Sequence, residues 1–264
     1  MERRPISLAL KLLAGLMFLF LLAPVLIVVP MSFSGDAYMA FPPSSWGTRW
    51  YGAVFKDVRI ADSFFVSLWL ALAVTLLSML IAVPAAYALV RLKPAGTDWL
   101  LALFTAPLLL PTIVLGLGLL MVFAPLGLLG SVRGLLFCHM VVTLPYALRV
   151  LVTALSTLSP AIEEAAATLG APPAVVLFRI TLPMMTPGIV AASVLSFLVS
   201  FDEVVVSLFM TGPKLSTLPV TMFHHVEERA DPMVAALSVL LVGLTLVVML
   251  VVDRTIGLGK AFVK

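Results

Sequence analysis

Two adjacent carboxylates stand inside an otherwise uncharged apolar segment and could act on a charged substrate. They are Asp202 and Glu203, which follow Phe201 in the stretch from Pro187 to Phe209. A charge inside a bilayer is costly unless it faces a cavity or has a partner, so the pair indicates a substrate path or a gate. Either the pair attracts a cationic substrate, or its hydrogen bonds hold a gate or a helix bend. Successive helical residues point about 100° apart, so we expect one of the two to line the path and the other to brace a neighbouring helix.

The remaining reactive side chains form no catalytic or metal-binding pattern. His139 lies in a second apolar segment, where a hydrogen-bonded helix contact is favoured over a proton relay. His224 and His225 are adjacent, which is not a metal-ligand spacing, so we expect both to be solvated. The stretch 257–260 lacks the spacing and the hydroxyl of the phosphate-binding loop G-x4-G-K-[ST], and no G-x-S-x-G motif occurs. The sequence therefore predicts no catalytic residue, no metal site and no bound cofactor, and a chain that is not an enzyme by itself.

The elements that must position these residues are membrane helices. Apolar residues make up 62% of the chain and charged residues 11%, whereas soluble domains carry about 25% charged residues. The apolar residues occur in runs long enough to cross a hydrocarbon core of about 30 Å. We predict an all-α integral membrane protein with six spans, at about Leu8–Met31, Phe64–Val90, Trp99–Phe123, Gly134–Leu155, Pro187–Phe209 and Val234–Val252.

The basic residues predict the orientation, because cytoplasmic loops are enriched in Lys and Arg. With the amino terminus inside, ten basic residues fall in inner segments and six in outer segments. The inner residues are Arg3, Arg4, Lys11, Arg91, Lys93, Arg149, Arg179, Arg254, Lys260 and Lys264. The outer residues are Arg49, Lys56, Arg59, Arg133, Lys214 and Arg229. We therefore expect both termini in the cytoplasm. No basic stripe suggests a nucleic acid partner.

A short segment between the fourth and fifth predicted spans is typical of a helical hairpin. Ser159 is a suitable N-cap and Pro160 suits the first helical position. Glu163 and Glu164 then lie near the positive end of the helix dipole. Gly170 fits the left-handed position that ends such a helix. The two prolines that follow stop it, and we expect a second short helix to run from there through Phe178 and Arg179.

The hairpin from Ser159 to Pro183 carries the spacing E-A-A-x3-G-x9-I-x-L-P. The matching residues are Glu164, Ala165, Ala166, Gly170, Ile180, Leu182 and Pro183. This pattern resembles the ATPase-docking loop of the membrane subunits of binding-protein-dependent ABC importers. Further segments resemble the second permease of spermidine/putrescine-type importers. They are Phe41-Pro-Pro, Trp50-Tyr51, Ala85 to Arg91, Leu144-Pro-Tyr146, Ser200 to Glu203 and Thr217-Leu-Pro219. Similar patterns also occur in relatives linked to opines, aminobutyrate-type compounds and phosphonates.

The resemblance implies a MetI-like permease fold in a single transmembrane domain over residues 1–264. Its core helices lie at about 64–252, with an additional first helix at 8–31 and the coupling hairpin at 159–183. It implies ATPase coupling by Glu163, Glu164, Ala165, Ala166, Gly170 and Arg179, and a substrate path or gate at Phe201, Asp202 and Glu203. Carbohydrate-type members have a similar stretch at this place although their cargo is neutral. A gating or structural role is therefore favoured for Glu203, while the role of Asp202 stays open.

The implied assembly lies in the bacterial inner membrane. This chain and a second permease subunit together enclose the path. The second subunit is a similar or an identical chain, and a heterodimer is favoured. Two ATPase subunits bind the hairpins from the cytoplasm and hold the ATP and Mg²⁺, and an extracytoplasmic binding protein delivers the cargo. The outer segment from Ser32 to Asp62 either receives that protein or seats its aromatic residues at the membrane surface. The competing classes are a self-sufficient secondary transporter or channel that uses Asp202 and His139, and a membrane-embedded enzyme, for which no catalytic cluster is visible.

Overall fold

The computed structural model describes residues 8–256, and within that range the chain folds into helices without a β-strand. The basic residues Arg3, Arg4, Lys260 and Lys264 and the stretch 257–260 lie outside the described residues. The helices are α1 (Leu8–Ser32), α2 (Arg49–Lys56), α3 (Val58–Tyr87), α4 (Thr97–Thr105), α5 (Thr112–Phe123), α6 (Val132–Thr157), α7 (Ala161–Thr168), α8 (Pro173–Val176), α9 (Leu182–Phe201), α10 (Val205–Met210), α11 (Leu218–Arg229) and α12 (Met233–Ile256). Two π-helical turns, Ala88–Leu92 and Leu177–Thr181, and one 3₁₀ turn, Ala106–Leu109, complete the helical elements of this range.

Four helices in the described part of the chain are long and apolar enough to cross a bilayer as continuous elements. They are Leu8–Ser32, Val58–Leu92, Val132–Thr157 and Pro173–Phe201. Each overlaps one of the six predicted spans. The sixth predicted span falls in α12, whose described apolar part, Met233–Val247, is shorter than the other four.

The third predicted span, Trp99–Phe123, is wrong as a continuous helix. The helical pair Thr97–Leu109 and Thr112–Phe123 is bent by 102°, which makes it either a broken span or a re-entrant loop. The reason is local stereochemistry. Leu110 precedes Pro111 and is extended, with φ −89° and ψ 138°, because a proline disfavours the helical conformation of the residue before it.

The fifth predicted span is also wrong at its carboxyl end, because the helix stops at Phe201 and not at Phe209. Asp202, with φ −96° and ψ 3°, caps α9, and the short helix α10 begins only at Val205. At its other end the helical segment is longer than predicted and begins at Pro173. The acidic pair therefore lies in a turn between two helices and not within one.

The chain divides into two compact units, 1–60 with 224–255 and 61–223 with 256–264. The core of the second unit contains two clusters of buried apolar side chains. One cluster joins α3, α6 and α9 around Ala82, Leu151 and Met185. In this region a Cβ on Gly188 would lie 2.5 Å from the Cβ of Ala154, so a glycine permits close contact of α9 with α6. The other cluster joins α3, α5, α6 and α10 and includes Leu135 and Met210.

In the first unit, the segment between α1 and α2 is ordered by one carboxylate. The side chain of Asp36 accepts hydrogen bonds from the backbone amide of Ser44 at 2.8 Å and from the hydroxyls of Ser44 and Ser45 at 2.6 and 2.8 Å. These bonds, the Ser44 hydroxyl first, hold the pKa of Asp36 far below its usual range. The carbonyl of Asp36 also accepts from the guanidinium of Arg49 at 2.7 Å. The outer segment is thus a folded loop.

Candidate functional site

The first arm of the hairpin is α7, and it begins one residue later than the sequence predicts. The hydroxyl of Ser159 accepts a hydrogen bond from the amide of Ala161 at 3.3 Å. This bond satisfies one of the amides that the first helical turn leaves without a partner. Pro160 has helical dihedral angles, φ −68° and ψ −17°, and precedes Ala161, where the helix begins. Pro160, which the sequence placed at the first helical position, is therefore the N-cap residue.

The end of α7 is a Schellman turn centred on Gly170. Its φ is +86°, the left-handed conformation that the sequence predicts for this glycine. The amide of Gly170 donates to the carbonyl of Ala167 at 2.9 Å, and the amide of Ala171 donates to the carbonyl of Ala166 at 3.1 Å. A Cβ added to Gly170 would meet no atom within 4 Å. The requirement for glycine therefore comes from the backbone conformation and not from crowding.

The second arm does not end at Arg179, which corrects the prediction of a separate short helix. It begins at Pro173 as α8, passes through the π-turn Leu177–Thr181 and continues into α9. The amide of Leu182 donates to the carbonyl of Leu177, the i to i+5 bond of a π-turn, so the chain stays hydrogen-bonded through the junction. The hairpin is consequently continuous with the span that leads to Phe201.

The predicted coupling residues differ in their exposure. Glu164, Ala165, Gly170 and Arg179 are exposed, whereas Glu163 and Ala166 are half-buried. Four large apolar side chains that the sequence analysis did not select are also exposed on the hairpin, at 49% for Ile162, 89% for Leu169, 37% for Val175 and 66% for Phe178. The sequence contained a signal for them, because these apolar residues lie on a loop between two spans. Exposed apolar groups commonly mark interaction surfaces.

Glu163 forms a bond that the sequence analysis also missed. Its carboxylate lies 3.0 and 3.1 Å from the Nε atom of Arg91, in the π-turn at the end of α3. The same guanidinium donates from Nη2 to the carbonyl of Leu158 at 3.0 Å. No spacing rule links positions 72 residues apart, so no sequence signal could have identified the pair.

The acidic turn lies at the other end of α9. Glu203 is half-buried, and its Oε1 atom accepts from the amide of Val206 at 2.9 Å, which caps the first turn of α10. Asp202 is exposed. Phe201 stacks on Phe197, with ring centroids 5.6 Å apart, and meets the edge of Phe64 on α3 at 6.1 Å. The carboxylate of Glu203 thus stabilises the helix break, whereas the carboxylate of Asp202 is exposed.

His139 connects the two sides of this turn and is buried, with 1% exposure. Its Nδ1 atom lies 2.9 Å from the hydroxyl of Ser200 on α9, and its Nε2 atom lies 2.9 Å from the hydroxyl of Ser207 on α10. The Ser207 hydroxyl donates to the carbonyl of Glu203 at 2.8 Å, so its oxygen accepts from Nε2–H. In the neutral imidazole, Nδ1 then accepts from Ser200. Both ring nitrogens are satisfied, as expected of a helix contact.

The site residues form two groups at opposite ends of α9, and the structure does not bring the groups together. At 1.5 Å per residue, α9 separates them by about 30 Å. Among the described residues, no group of three or more His, Cys, Asp or Glu side chains could hold a metal ion. The helix α9 therefore joins a surface hairpin to a turn that carries aromatic and acidic side chains.

Comparison with known proteins gives consistent results. Residues 78–258 match the family of binding-protein-dependent transport system inner membrane components. The chain is 35% identical over 86% of its length, and 83% of the relative's, to the putrescine transport system permease protein PotI of Escherichia coli K12. It is 30% identical to the spermidine/putrescine transport system permease protein PotC of the same organism, over 92% of this chain and 91% of that one.

One solved structure supports the fold alone. It is a chain of a bacterial ABC transporter involved in the import of the acidic polysaccharide alginate, with a TM-score of 0.69 and 16% identity. The superposition covers 99% of this chain and 100% of that chain. The expected MetI-like permease fold is confirmed.

These results confirm that the chain is a multi-pass inner membrane permease subunit of an ABC importer and not an enzyme. Such a system includes a partner permease, an ATPase that hydrolyses ATP, and a substrate-binding protein. The alternatives of a secondary transporter and of a membrane enzyme are thereby displaced. The chain belongs to the family of binding-protein-dependent transport system inner membrane components.

Proposed function

We propose that the hairpin 159–183 is the surface on which the ATPase subunit docks, and that its movement opens and closes a path beside the acidic turn. The observation that carries this proposal is the geometry of Leu169 and Gly170. The Schellman turn projects an apolar side chain with 89% exposure from the tip of a helix whose chain continues into α9. A partner that binds this tip acts on the span directly.

The assembly that follows has the hairpin and both termini in the cytoplasm, where ATP is available. Two ATPase subunits, which hold ATP and Mg²⁺, bind this hairpin and that of a second permease subunit, most simply a different chain. Closure of the ATPase dimer shifts the helices between inward-open and outward-open states, since a ligand moves an equilibrium only by binding the two states differently. The binding protein delivers cargo to the opposite face, where the segment 33–48 between α1 and α2, the Asp36 loop, is a candidate contact.

We infer that the cargo is a small amine, with polyamines such as putrescine and spermidine favoured. The relatives named for putrescine and spermidine/putrescine transport support this class. A further relative, 32% identical over 73% of the chain, is named for transport of 2-aminoethylphosphonate, which also carries an amine. The exposed carboxylate of Asp202 supplies the complementary charge. A thermal-shift screen of the cognate binding protein tests the inference: amines should raise its Tm, and a response only to sugars or anions would contradict it.

The docking surface is tested by Gly170→Val in the assembled complex. A β-branched residue with φ +86° is strained by roughly 1–3 kcal/mol, so the hairpin tip should be displaced. We expect the ATPase to co-purify at less than one fifth of the wild-type amount while the chain still inserts into the membrane. The control is Gly52→Val in α2, where a Cβ would also meet no atom within 4 Å and φ is not positive. Normal ATPase recovery with Gly170→Val would refute the docking surface.

A further inference from the structure

The guanidinium of Arg91 holds both ends of the short connection between α6 and α7. Its Nε atom lies 3.0 and 3.1 Å from the two carboxylate oxygens of Glu163, in the first turn of α7. Its Nη2 atom donates to the carbonyl of Leu158, the residue that caps α6, at 3.0 Å. One side chain from the π-turn Ala88–Leu92, which follows α3, therefore holds the chain that enters the hairpin.

This ion pair is shielded from solvent, so the loss of one partner costs more than it does in a surface pair. The side chain of Arg91 is 13% exposed and that of Glu163 is 15% exposed. Exposed pairs contribute little because water and salt screen them. Removal of one partner from a buried pair instead leaves an uncompensated charge. The Arg91–Glu163 contact is therefore suited to transmit a displacement of α7 to the end of α3.

The backbone departs from regular α-helix in two places, after α3 and in the second arm of the hairpin. Arg91 lies in the π-turn Ala88–Leu92, in which the amide of Lys93 donates to the carbonyl of Ala88 at 3.0 Å. The other arm of the hairpin passes through the π-turn Leu177–Thr181. π-turns are rare in α-helices, and those that occur are frequently found at functional sites. Arg91 therefore lies outside regular α-helix, in the turn that follows α3.

The far end of α3 lies beside the acidic turn. Phe64, near the beginning of α3, packs edge-on against Phe201 with ring centroids 6.1 Å apart. Phe201 immediately precedes Asp202, and it also stacks on Phe197. From Phe64 to Arg91 the helix extends about 40 Å at 1.5 Å per residue. Like α9, α3 therefore extends from the hairpin to the acidic turn, but its connections at both ends are non-covalent.

We propose that Arg91 is a positioning residue that couples hairpin movement to α3, so that two helices, and not α9 alone, carry the movement to the acidic turn. The inference rests on the proposed function, in which the ATPase moves the hairpin. When α7 is displaced, the Arg91–Glu163 bond moves the end of α3 with it, and Phe64 transfers the shift to Phe201. Without this bond, α7 still binds the ATPase through its exposed tip, but α3 no longer follows.

The test uses the complete complex in proteoliposomes, comprising this chain, its permease partner, the ATPase and the binding protein. The probe is radiolabelled putrescine, and the measured quantity is putrescine transported per ATP hydrolysed. Arg91→Gln deletes the charge that Glu163 contacts and leaves every residue of the hairpin unchanged. We expect this ratio to fall at least threefold, with ATPase recovery and basal hydrolysis within twofold of wild type. Arg149→Gln, which removes an exposed arginine from α6, is the control and should change the ratio by less than twofold.

A charge exchange separates the bond from a general structural role. Arg91→Glu and Glu163→Arg should each lower the ratio at least fivefold, and the double exchange should restore at least half of the loss. A wild-type ratio in Arg91→Gln would overturn the inference, as would a double exchange no better than the worse single variant. A fault in the proposed function itself is distinguishable, because Gly170→Val would then leave ATPase recovery unchanged.

Discussion

The Nε2 atom of His139 and the hydroxyl of Ser207 lie 2.9 Å apart, and this bond ties α6 to the beginning of α10. The other ring nitrogen holds Ser200 near the end of α9. One buried imidazole thus fixes the two helices on either side of the turn that carries Asp202 and Glu203. In an ATP-driven permease this makes His139 a structural support of the turn and not a proton carrier.

Replacement of His139 by leucine should therefore destabilise the complex. The substitution leaves the buried hydroxyl of Ser200 without its acceptor, whereas the hydroxyl of Ser207 still donates to the carbonyl of Glu203. The loss costs about 1–3 kcal/mol, equivalent to a decrease in Tm of roughly 2–10 °C for a chain of this size. The measurement is thermal unfolding of the purified complex. Cys138→Ala is the control, because Cys138 is equally buried in α6 but its Sγ atom bonds only within its own helix, to Leu135 at 3.2 Å. An unchanged Tm in His139→Leu would show that the hydrogen bonds of the imidazole do not stabilise the complex.

Glu203 should tolerate glutamine better than alanine. The Oε1 atom caps α10 by accepting from Val206, and a glutamine carbonyl preserves that acceptor while removing the charge. Loss of a capping side chain costs about 0.5–2 kcal/mol. We expect Glu203→Ala to reduce ATP-coupled uptake at least threefold further than Glu203→Gln in proteoliposomes. If glutamine is as damaging as alanine, the charge of Glu203 and not its capping bond is what matters.

The expectation for Asp202 is the reverse, because its side chain is exposed and takes no part in capping α10. Asp202→Asn deletes a charge without changing shape. A hydrogen bond to a charged group contributes about 1.5–3 kcal/mol, so uptake of putrescine should fall at least tenfold. ATPase recovery in the complex should stay normal. Uptake of putrescine at the wild-type rate would remove the electrostatic support for a cationic cargo.

The Asp36 loop should resist acid. Its hydrogen bonds lower the pKa of this carboxyl, so the folded loop favours the charged form. The stabilisation is therefore complete above the ordinary pKa of 3.8 and is lost only as pH falls below it, toward the folded pKa. Hydrogen exchange of the Ser44 amide, corrected for intrinsic rate, should show constant protection from pH 7 to pH 4. Protection that disappears around pH 5 would contradict this account.

The same measurement should distinguish Asp36→Ala from a control. At pH 7 this variant should exchange the Ser44 amide at least tenfold faster than wild type, because the acceptor of that amide is gone. Asp62→Ala removes another exposed outer carboxylate and should leave the protection of Ser44 unchanged. Equal protection of Ser44 in Asp36→Ala would show that the loop is ordered by other contacts.

The features that could be predicted from the sequence are those set by neighbouring residues. The left-handed Gly170 and the start of a helix at Pro173 follow from local stereochemistry, and both are found. The break at Pro111 follows from the same rules, but a count of apolar residues obscures it. The continuation of the second arm into α9 was missed because a π-turn has no comparable sequence pattern.

The features that could not be predicted depend on packing between distant elements. Glu163 and Glu164 look equivalent in the sequence, yet Arg91 contacts the first while the second is exposed. Only the packing of α3 against α6 places Arg91 there. The serine partners of His139 are likewise 61 and 68 positions away, so the sequence indicates a hydrogen-bonded histidine but not its partners.

The central claim is that the ATPase subunit binds the hairpin tip, and site-specific photo-crosslinking tests it most directly. A photoreactive residue at Leu169, which is 89% exposed, should form a covalent adduct with the ATPase in the assembled complex. The same residue at Phe55, which is 76% exposed on α2, should form none, because α2 lies on the predicted outer face. Absence of the adduct at Leu169 from an assembled complex, or an ATPase adduct at Phe55, would contradict the account.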